Sequence, residues 1–254
     1  GQAKEIAARS GANVQRPTWA PDGRQLSYEA NFHDRKIIEL FVGTAQTGAF
    51  RRILPVAAST SSIASGFGGG GRSGGGGKVA HELTWSPPSL GRFVYTASSG
   101  ANDYDLYTMT GGTVAKGPGA DGAAAWSPDG QKVASYANMD ADERFDLSGM
   151  DVRQGAVPKT LASDVVVSSR GPAWTPDGRS LLYVCNDDEA YDPLCLTPSA
   201  GGSARRLDLG TVGHGDLDLT RGPDGKLWRA YVAQGRTIDD ERGFKRLFLA
   251  KLDL

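Results

Sequence analysis

The sequence predicts an all-β protein, a five-bladed β-propeller of four-stranded antiparallel blades, from a repeated turn and its spacing. A tryptophan stands two residues before a proline turn in Trp19-Ala-Pro-Asp-Gly, Trp85-Ser-Pro-Pro, Trp126-Ser-Pro-Asp-Gly and Trp174-Thr-Pro-Asp-Gly, and Arg221-Gly-Pro-Asp-Gly keeps the turn without the ring. The five prolines are separated by 66, 41, 48 and 47 residues. A repeat of about 40 to 50 residues built from short strands is typical of a propeller blade.

Each turn is followed by a β-rich segment that we predict to be the second strand of a blade. Pro presets one backbone angle of a tight turn and Gly tolerates a positive one, so strands should flank Pro-Asp-Gly. The second strands are predicted at Gln25–Tyr28, Phe93–Thr96, Lys132–Tyr136, Ser180–Val184 and Leu227–Val232.

A leucine marks the third strand of each repeat, and basic residues mark the fourth. The leucines are Leu40, Leu106, Leu147, Leu194 and Leu247, and the first three lie 19 residues after their proline. Fourth strands are predicted at Arg51–Leu54, Val114–Lys116, Lys159–Leu161 and Arg205–Leu207. Basic side chains suit an outer edge, where they discourage pairing with strands of other molecules.

The last repeat has no fourth strand, since the sequence stops shortly after Lys245–Lys251. We expect Lys4–Arg9 to supply it and so to close a single propeller domain over residues 1–254.

Small residues one and three positions before each proline predict close packing of the innermost strands, with the tryptophans on the opposite face in the core. A Gly/Ser-rich tract at about 64–78 predicts a flexible loop, either a natural insertion or an engineered linker.

The overall composition argues against several partners. Lys and Arg number 28 against 29 Asp and Glu, so we expect no attraction to nucleic acid or to an anionic membrane. No apolar run is long enough to span a bilayer, and the first residues do not resemble a signal peptide. We expect a monomer.

The Trp-Ser-Pro-Asp-Gly turn followed by a Leu/Val-x-Tyr strand resembles the repeat of TolB-type bacterial propellers, relatives of the WD-repeat family. The resemblance covers almost the whole chain. It implies a propeller fold, but its implications for function are broad, because the family includes periplasmic partner-binding proteins, lipoproteins and propeller domains attached to prolyl-oligopeptidase-like hydrolases. The resemblance is confined to the propeller, so we expect no counterpart of the separate N-terminal α/β domain of the protein after which the family is named.

The hairpins between second and third strands hold 14 of the 29 carboxylates. In a propeller these hairpins share one face with the loops leading into the innermost strands, which predicts an acidic face able to recruit a basic protein surface or to hold a cation. Asp and Asn also favour polar turns for purely structural reasons. The candidate partner-binding residues on this face and at the channel mouth are Arg16, Asp34, Asp103, Asp140, Asp142, Arg170, Asp187, His214 and Asp239.

The sequence predicts no metal site and no cofactor. Asp140-x-Asp142 lacks the Gly and Glu of a calcium loop, and the three histidines are scattered. A glycan-cleaving site would need carboxylates on innermost strands, where only Glu82, Asp216 and Asp218 are candidates.

Cys185 and Cys195 fall on the second and third strands of the fourth repeat. Antiparallel neighbours lie close enough for a disulfide, which would indicate an oxidising compartment; two reduced thiols are the alternative.

The leading hypothesis is therefore a non-enzymatic propeller that binds a protein or peptide on its acidic face, in the bacterial periplasm or at the cell surface. The first alternative is a carbohydrate-active or lactone-hydrolysing enzyme with its site in the central channel. The second is a scaffold or engineered propeller without a ligand.

Overall fold

The structure is a computed structural model that describes residues 5–6, 10–33, 38–44, 46–53, 80–100, 103–109, 113–115, 121–138, 144–153, 156–167, 171–186, 193–208, 211–212, 217–221, 226–235 and 246–252. The chain divides into two compact units. The first comprises residues 1–122 with 153–155, and the second comprises 123–152 with 156–254. Among the described residues no helix is long and apolar enough to cross a membrane.

The first unit contains two four-stranded antiparallel meanders. The first sheet consists of β1 (Val14–Trp19), β2 (Gln25–Ala30), β3 (Glu39–Thr44) and β4 (Ala49–Arg52). The second consists of β5 (Ala80–Trp85), β6 (Phe93–Gly100), β7 (Asp103–Thr108) and β8 (Thr113–Ala115). In both, the strands are adjacent in chain order, as a propeller blade requires.

The second unit contains an eight-stranded sheet and a four-stranded sheet. The larger one is built from β9 (Asp121–Trp126), β10 (Lys132–Ala137), β11 (Phe145–Asp151), β12 (Lys159–Val166), β13 (Ala173–Trp174), β14 (Ser180–Cys185), β15 (Leu194–Pro198) and β16 (Arg205–Leu207). The smaller one is built from β17 (Thr211–Val212), β18 (Leu217–Arg221), β19 (Leu227–Gly235) and β20 (Arg246–Leu252).

The third and fourth repeats are joined because β12 serves both of them. It pairs with β11 from Lys159 to Val165, and its last two residues also pair with β14, with Val166 opposite Val184. A bulge interrupts the pairing with β11 just before Val165, where Asp164 has a φ of 54°. The strand thus runs from the outer edge of one repeat into the inner edge of the next.

The predicted second, third and fourth strands are confirmed, and every pairing between the described strands is antiparallel. All five leucines lie in the third strands as predicted, but they differ in burial. Leu40, Leu106, Leu147 and Leu194 are buried, whereas Leu247 is 77% exposed and Leu252, further along the same strand, is buried instead. The number of five blades and the closure by the N-terminal segment remain predictions, since Lys4 and Ala7–Arg9 lie outside the described residues, as does the glycine-rich tract at 64–78.

Two tryptophans bond to the innermost strand of the preceding repeat. Trp85 Nε1 donates to the carbonyl of Thr18 at 3.3 Å, and Trp174 Nε1 donates to the carbonyl of Ala125 at 3.0 Å. In each case the acceptor is the residue directly before the preceding tryptophan. The prediction that all the tryptophans lie in the core is wrong for Trp19, which is 55% exposed and has no preceding repeat in its own unit.

Two of the Pro-Asp-Gly turns are held by a hydroxyl and a carboxylate. Thr175 Oγ1 donates to Asp177 Oδ1 at 2.7 Å, which also accepts the backbone N–H of Arg179 at 3.0 Å. Ser127 and Asp129 repeat this arrangement in the third repeat. The hydrogen bond from Thr175 is the main cause that holds the pKa of Asp177 below its ordinary value, and that from Ser127 does the same for Asp129.

These turns predict a small loss of stability in acid. Because the folded pKa of Asp177 is depressed, its contribution is complete above the unfolded pKa of about 3.9 and disappears as the pH falls through the lower folded value. The group is solvent-exposed and screened, so we expect about 1 kcal/mol or less. Urea unfolding of Asp177→Asn between pH 6 and about 2 should show a weaker pH dependence than the wild type. An unchanged pH dependence would contradict the assignment.

Candidate functional site

Each sheet has one edge where the innermost strand begins beside the hairpin that joins its second and third strands. Val14 pairs with Ala30 in the first sheet, Ala80 with Ala97 in the second, and Val165 with Cys185 in the eight-stranded sheet. We call this side of a sheet its hairpin edge. The sequence analysis predicts its candidate residues at this edge, and Arg16 of β1 is the one whose side chain the structure describes.

The innermost strands contain a left-handed residue three positions before each of the four tryptophans. Arg16, Glu82, Ala123 and Gly171 have φ values of 50°, 52°, 49° and 79°. Arg16 and Glu82 lie within bulges of β1 and β5, where the register with the second strand shifts. A left-handed non-glycine residue costs about 1 to 3 kcal/mol and persists only where its surroundings hold it. Bulges of this kind redirect side chains.

The bulges of the first unit bring Arg16 between two carboxylates. Arg16 Nη1 lies 3.3 Å from Glu82 Oε1 and 3.7 Å from Glu29 Oε1. Glu29 is fixed in turn, since it accepts the backbone N–H of Glu82 at 2.9 Å and the side-chain amide of Gln15 at 3.0 Å. The two sheets of the unit are therefore joined by a polar cluster at their hairpin edges, which we call the Arg16 cluster.

The exposure of the Arg16 cluster is asymmetric. The Arg16 side chain is 48% exposed, while those of Glu29 and Glu82 are 4% and 14% exposed. Tyr104 lies close enough to be affected: burial, and then the charge of Glu82, raise the pKa of its hydroxyl. With two carboxylates for one guanidinium, the cluster has a formal charge of −1.

The eight-stranded sheet carries a second cluster at its hairpin edge. Arg144 Nη1 contacts Asp164 Oδ2 at 2.6 Å, and Asn186 Nδ2 donates to Asp164 Oδ1 at 2.9 Å. The backbone N–H of Asp164 donates to Asp146 Oδ1 at 3.1 Å. This Asp164 cluster also has two carboxylates for one guanidinium, and its ion pair is largely exposed.

The described structure places only part of the predicted site. Arg16 is at the hairpin edge as expected, and it is engaged in ion pairs there. Only the backbone of Asp103 is described, in β7. Seven further candidates lie outside the described residues: Asp34, Asp140, Asp142, Arg170, Asp187, His214 and Asp239.

Two other carboxylates near the hairpins, Asp105 and Glu39, are buried and bonded to neighbouring side chains of the protein. Asp105 is buried and accepts a hydrogen bond from Tyr107, so it does not belong to an exposed acidic surface. Glu39 is buried between His33, whose Nδ1 lies 2.5 Å from Oε2, and Arg52, which contacts Oε1. Sequence reasoning did not single out Glu29, Arg144 or Asp164; alternation along β2 could have placed Glu29 beside the innermost strand.

Cys185 and Cys195 are joined by a disulfide in the structure. Their Cα atoms are 5.8 Å apart, and Cys195 lies directly opposite Tyr183, so the bond runs diagonally between β14 and β15. A closed loop of this size contributes roughly 2 to 3 kcal/mol in the chain-entropy account. Within the described ranges, no group of three or more His, Cys, Asp or Glu side chains could hold a metal ion.

The antiparallel sheets of this chain have the fold of solved β-propeller structures, TolB proteins among them. A TolB from Acinetobacter baumannii is 18% identical, with 79% of this chain and 46% of that chain covered and a TM-score of 0.50. A protein assigned to TolB from Agrobacterium tumefaciens is 18% identical over 96% of this chain and 78% of its own, with a TM-score of 0.60. An oligogalacturonate lyase in complex with manganese is 14% identical over 98% of this chain and 68% of its own, with a TM-score of 0.60.

The comparisons show the fold alone, because every identity is below one fifth. This chain spans less than half the length of the Acinetobacter protein. No family model matches the chain, and no curated protein matches it.

Proposed function

We propose that this chain is a non-enzymatic propeller that binds a basic segment of a protein or peptide at its hairpin edges. The observation that carries the proposal is the pair of clusters around Arg16 and Asp164. Each has an excess carboxylate, and each is fixed by hydrogen bonds to the backbone of a left-handed residue. The predicted acidic hairpin residues, with Asp140, Asp187 and Asp239 among them, would add to this charge.

Rigid carboxylates suit recognition of a Lys or Arg side chain. Glu29 is already held by Gln15 and by the backbone of Glu82, so little side-chain entropy remains to be lost when a cation arrives. Arg16 partly neutralises the buried pair, which limits the cost of keeping two carboxylates out of water. A partner's cation would then meet a site that is negative overall and ordered before binding.

The disulfide supports a compartment outside the cytoplasm. Disulfides persist in the periplasm, at cell surfaces and in secreted proteins, and they are rare in reducing cytosol. We propose that the protein works in the bacterial envelope, either in the periplasm or at the cell surface, as a single propeller domain and a monomer.

A charge-neutralising pair of variants tests the proposal. A fluorescein-labelled lysine-rich peptide should bind the wild type at low ionic strength, and Glu82→Gln with Asp164→Asn should weaken it several-fold, because two carboxylates of the hairpin edges are lost. Asp129→Asn with Asp177→Asn is the matched control, since this pair removes the same two charges from turns at the opposite end of the strands. Equal affinity for all three proteins would reject the proposal, and a pull-down from envelope extract would identify the natural partner.

A second candidate is a carbohydrate-active enzyme, which the likeness to an oligogalacturonate lyase favours. Glu82 lies on an innermost strand with its carboxylate against Arg16, a pairing that could hold an anionic sugar near a carboxylate. Product formation from oligogalacturonate, measured by absorbance, would support this candidate. Loss of turnover in Glu82→Gln and Asp218→Asn would assign the residues, and an inactive wild type would exclude this substrate.

A further inference from the structure

The first unit contains a cavity at the end of its sheets opposite to the hairpin edges. The cavity has a volume of about 350 Å³ and lies between the β3–β4 hairpin and the start of β6. Its apolar walls include Val42, Phe50, Phe93 and Met109. Gln25 and Thr44, which pair with each other where β2 begins and β3 ends, fix its position at this end.

The apolar walls are part of the rigid core. Val42 and Phe93 are buried members of one hydrophobic cluster, and Met109 packs against it. The backbone N–H of Met109 donates to the carbonyl of Phe93 at 3.1 Å, which ties the end of β7 to β6. The volume is at the lower end of the range for ligand pockets, about 300 to 1,000 Å³, and suits one large apolar side chain with its neighbours.

One charged residue, Arg51, lines the cavity. Arg51 is directly opposite Val42 in the β3–β4 ladder, so the two side chains lie on the same face of the sheet. The next residue, Arg52, points to the other face and forms an ion pair with Glu39. Arg51 has no ion pair within the described part of the chain, so its guanidinium is available to a carboxylate beside the apolar walls.

The strand that carries Arg51 has an open side. In the described structure β4 is the last strand of its sheet. The backbone N–H of Ile53 donates to the carbonyl of Leu40 at 2.8 Å, and alternation along an antiparallel strand then turns the N–H and C=O groups of Phe50 and Arg52 away from β3. An extended peptide can pair with such an edge.

We propose that β4 and this cavity bind an extended peptide segment that has an acidic and an apolar residue two positions apart. That spacing places both side chains on one face of a strand. The acidic side chain meets Arg51, the apolar side chain enters the cavity, and the backbone of the segment extends the first sheet. This surface prefers an acidic segment, whereas the hairpin edges of the proposed function prefer a basic one.

The test uses a fluorescein-labelled peptide, Gly-Ser-Glu-Ser-Phe-Ser-Gly, measured by fluorescence anisotropy at low ionic strength. Two comparison peptides replace its Glu with Lys or its Phe with Ser. The wild type should bind the Glu–Phe peptide at least tenfold more tightly than either comparison peptide. A tenfold change in Kd corresponds to about 1.4 kcal/mol of binding free energy. Arg51→Glu should reverse the preference between Glu and Lys.

Arg205→Glu is the matched control. Arg205 precedes Arg206 and Leu207 in β16 as Arg51 precedes Arg52 and Ile53 in the first repeat, and it does not line the cavity. Both arginines are exposed, so both variants should fold, and their Tm should equal that of the wild type. Equal binding of the Glu and Lys peptides, equal binding of the Phe and Ser peptides, or the same loss in Arg205→Glu would each overturn the proposal.

Discussion

Replacing Gly171 with Ala is expected to destabilise the protein by roughly 2 to 6 kcal/mol, through backbone strain and overpacking together. Gly171 has a φ of +79°, a region that side chains other than glycine rarely adopt. A Cβ at this position would also lie 2.2 Å from the carbonyl oxygen of Ala123, which is itself left-handed. The two nearest atoms, the carbonyl oxygen and carbon of Ala123, both belong to the backbone, so the backbone must move to admit the methyl group.

Gly23→Ala is the matched control for this prediction. Gly23 has a similar φ of +70°, but a Cβ there would meet nothing within 4 Å. Its replacement should therefore cost only the left-handed strain, about 1 to 2 kcal/mol. Urea unfolding of both variants separates the two causes. Equal losses would show that the close approach of Gly171 to Ala123 contributes nothing to stability.

Replacing Trp174 with Ala should cost about 3 to 5 kcal/mol, the usual range for deletion of a large core ring. Trp174 is 8% exposed and packs in a cluster with Leu147 and Leu181, from the third and fourth repeats. The same substitution also removes the hydrogen bond that Trp174 Nε1 donates to Ala125. Trp174→Phe keeps much of the packing, so most of the stability should return.

Trp19→Ala provides the comparison from the first repeat. Its ring is 55% exposed, so less apolar area is lost and the cost should be about 1 kcal/mol. Denaturation midpoints of the three variants, measured under one condition, test the ranking. If Trp19→Ala proves as damaging as Trp174→Ala, then the first tryptophan is buried in solution, as the predicted closure of a propeller requires.

The strand order of this protein is readable from its sequence because turn chemistry and alternation act locally. Pro-Asp-Gly set the start of β2, β10 and β14, and Leu40, Leu106 and Leu147 set the buried face of the third strands. The cysteine pair follows from the same register, because two neighbouring antiparallel strands bring Cys185 and Cys195 together.

The site was harder to anticipate, because it depends on backbone that local rules disfavour. Arg16 and Glu82 take left-handed conformations where the sequence offers no glycine, and contacts between the two sheets help to hold them. The hydrogen bonds from Trp85 and Trp174 to the preceding repeats likewise join residues that are 67 and 49 positions apart. Such distant contacts leave no local pattern in the sequence.

The strand β12 constrains how the number of repeats in this chain can change. Because Lys159–Val166 completes one repeat and also opens the next, a genetic deletion or duplication with its junction inside this strand would leave either β11 or β14 without one of its neighbouring strands. Gain or loss of repeats during evolution would then have to treat the third and fourth as one inherited block.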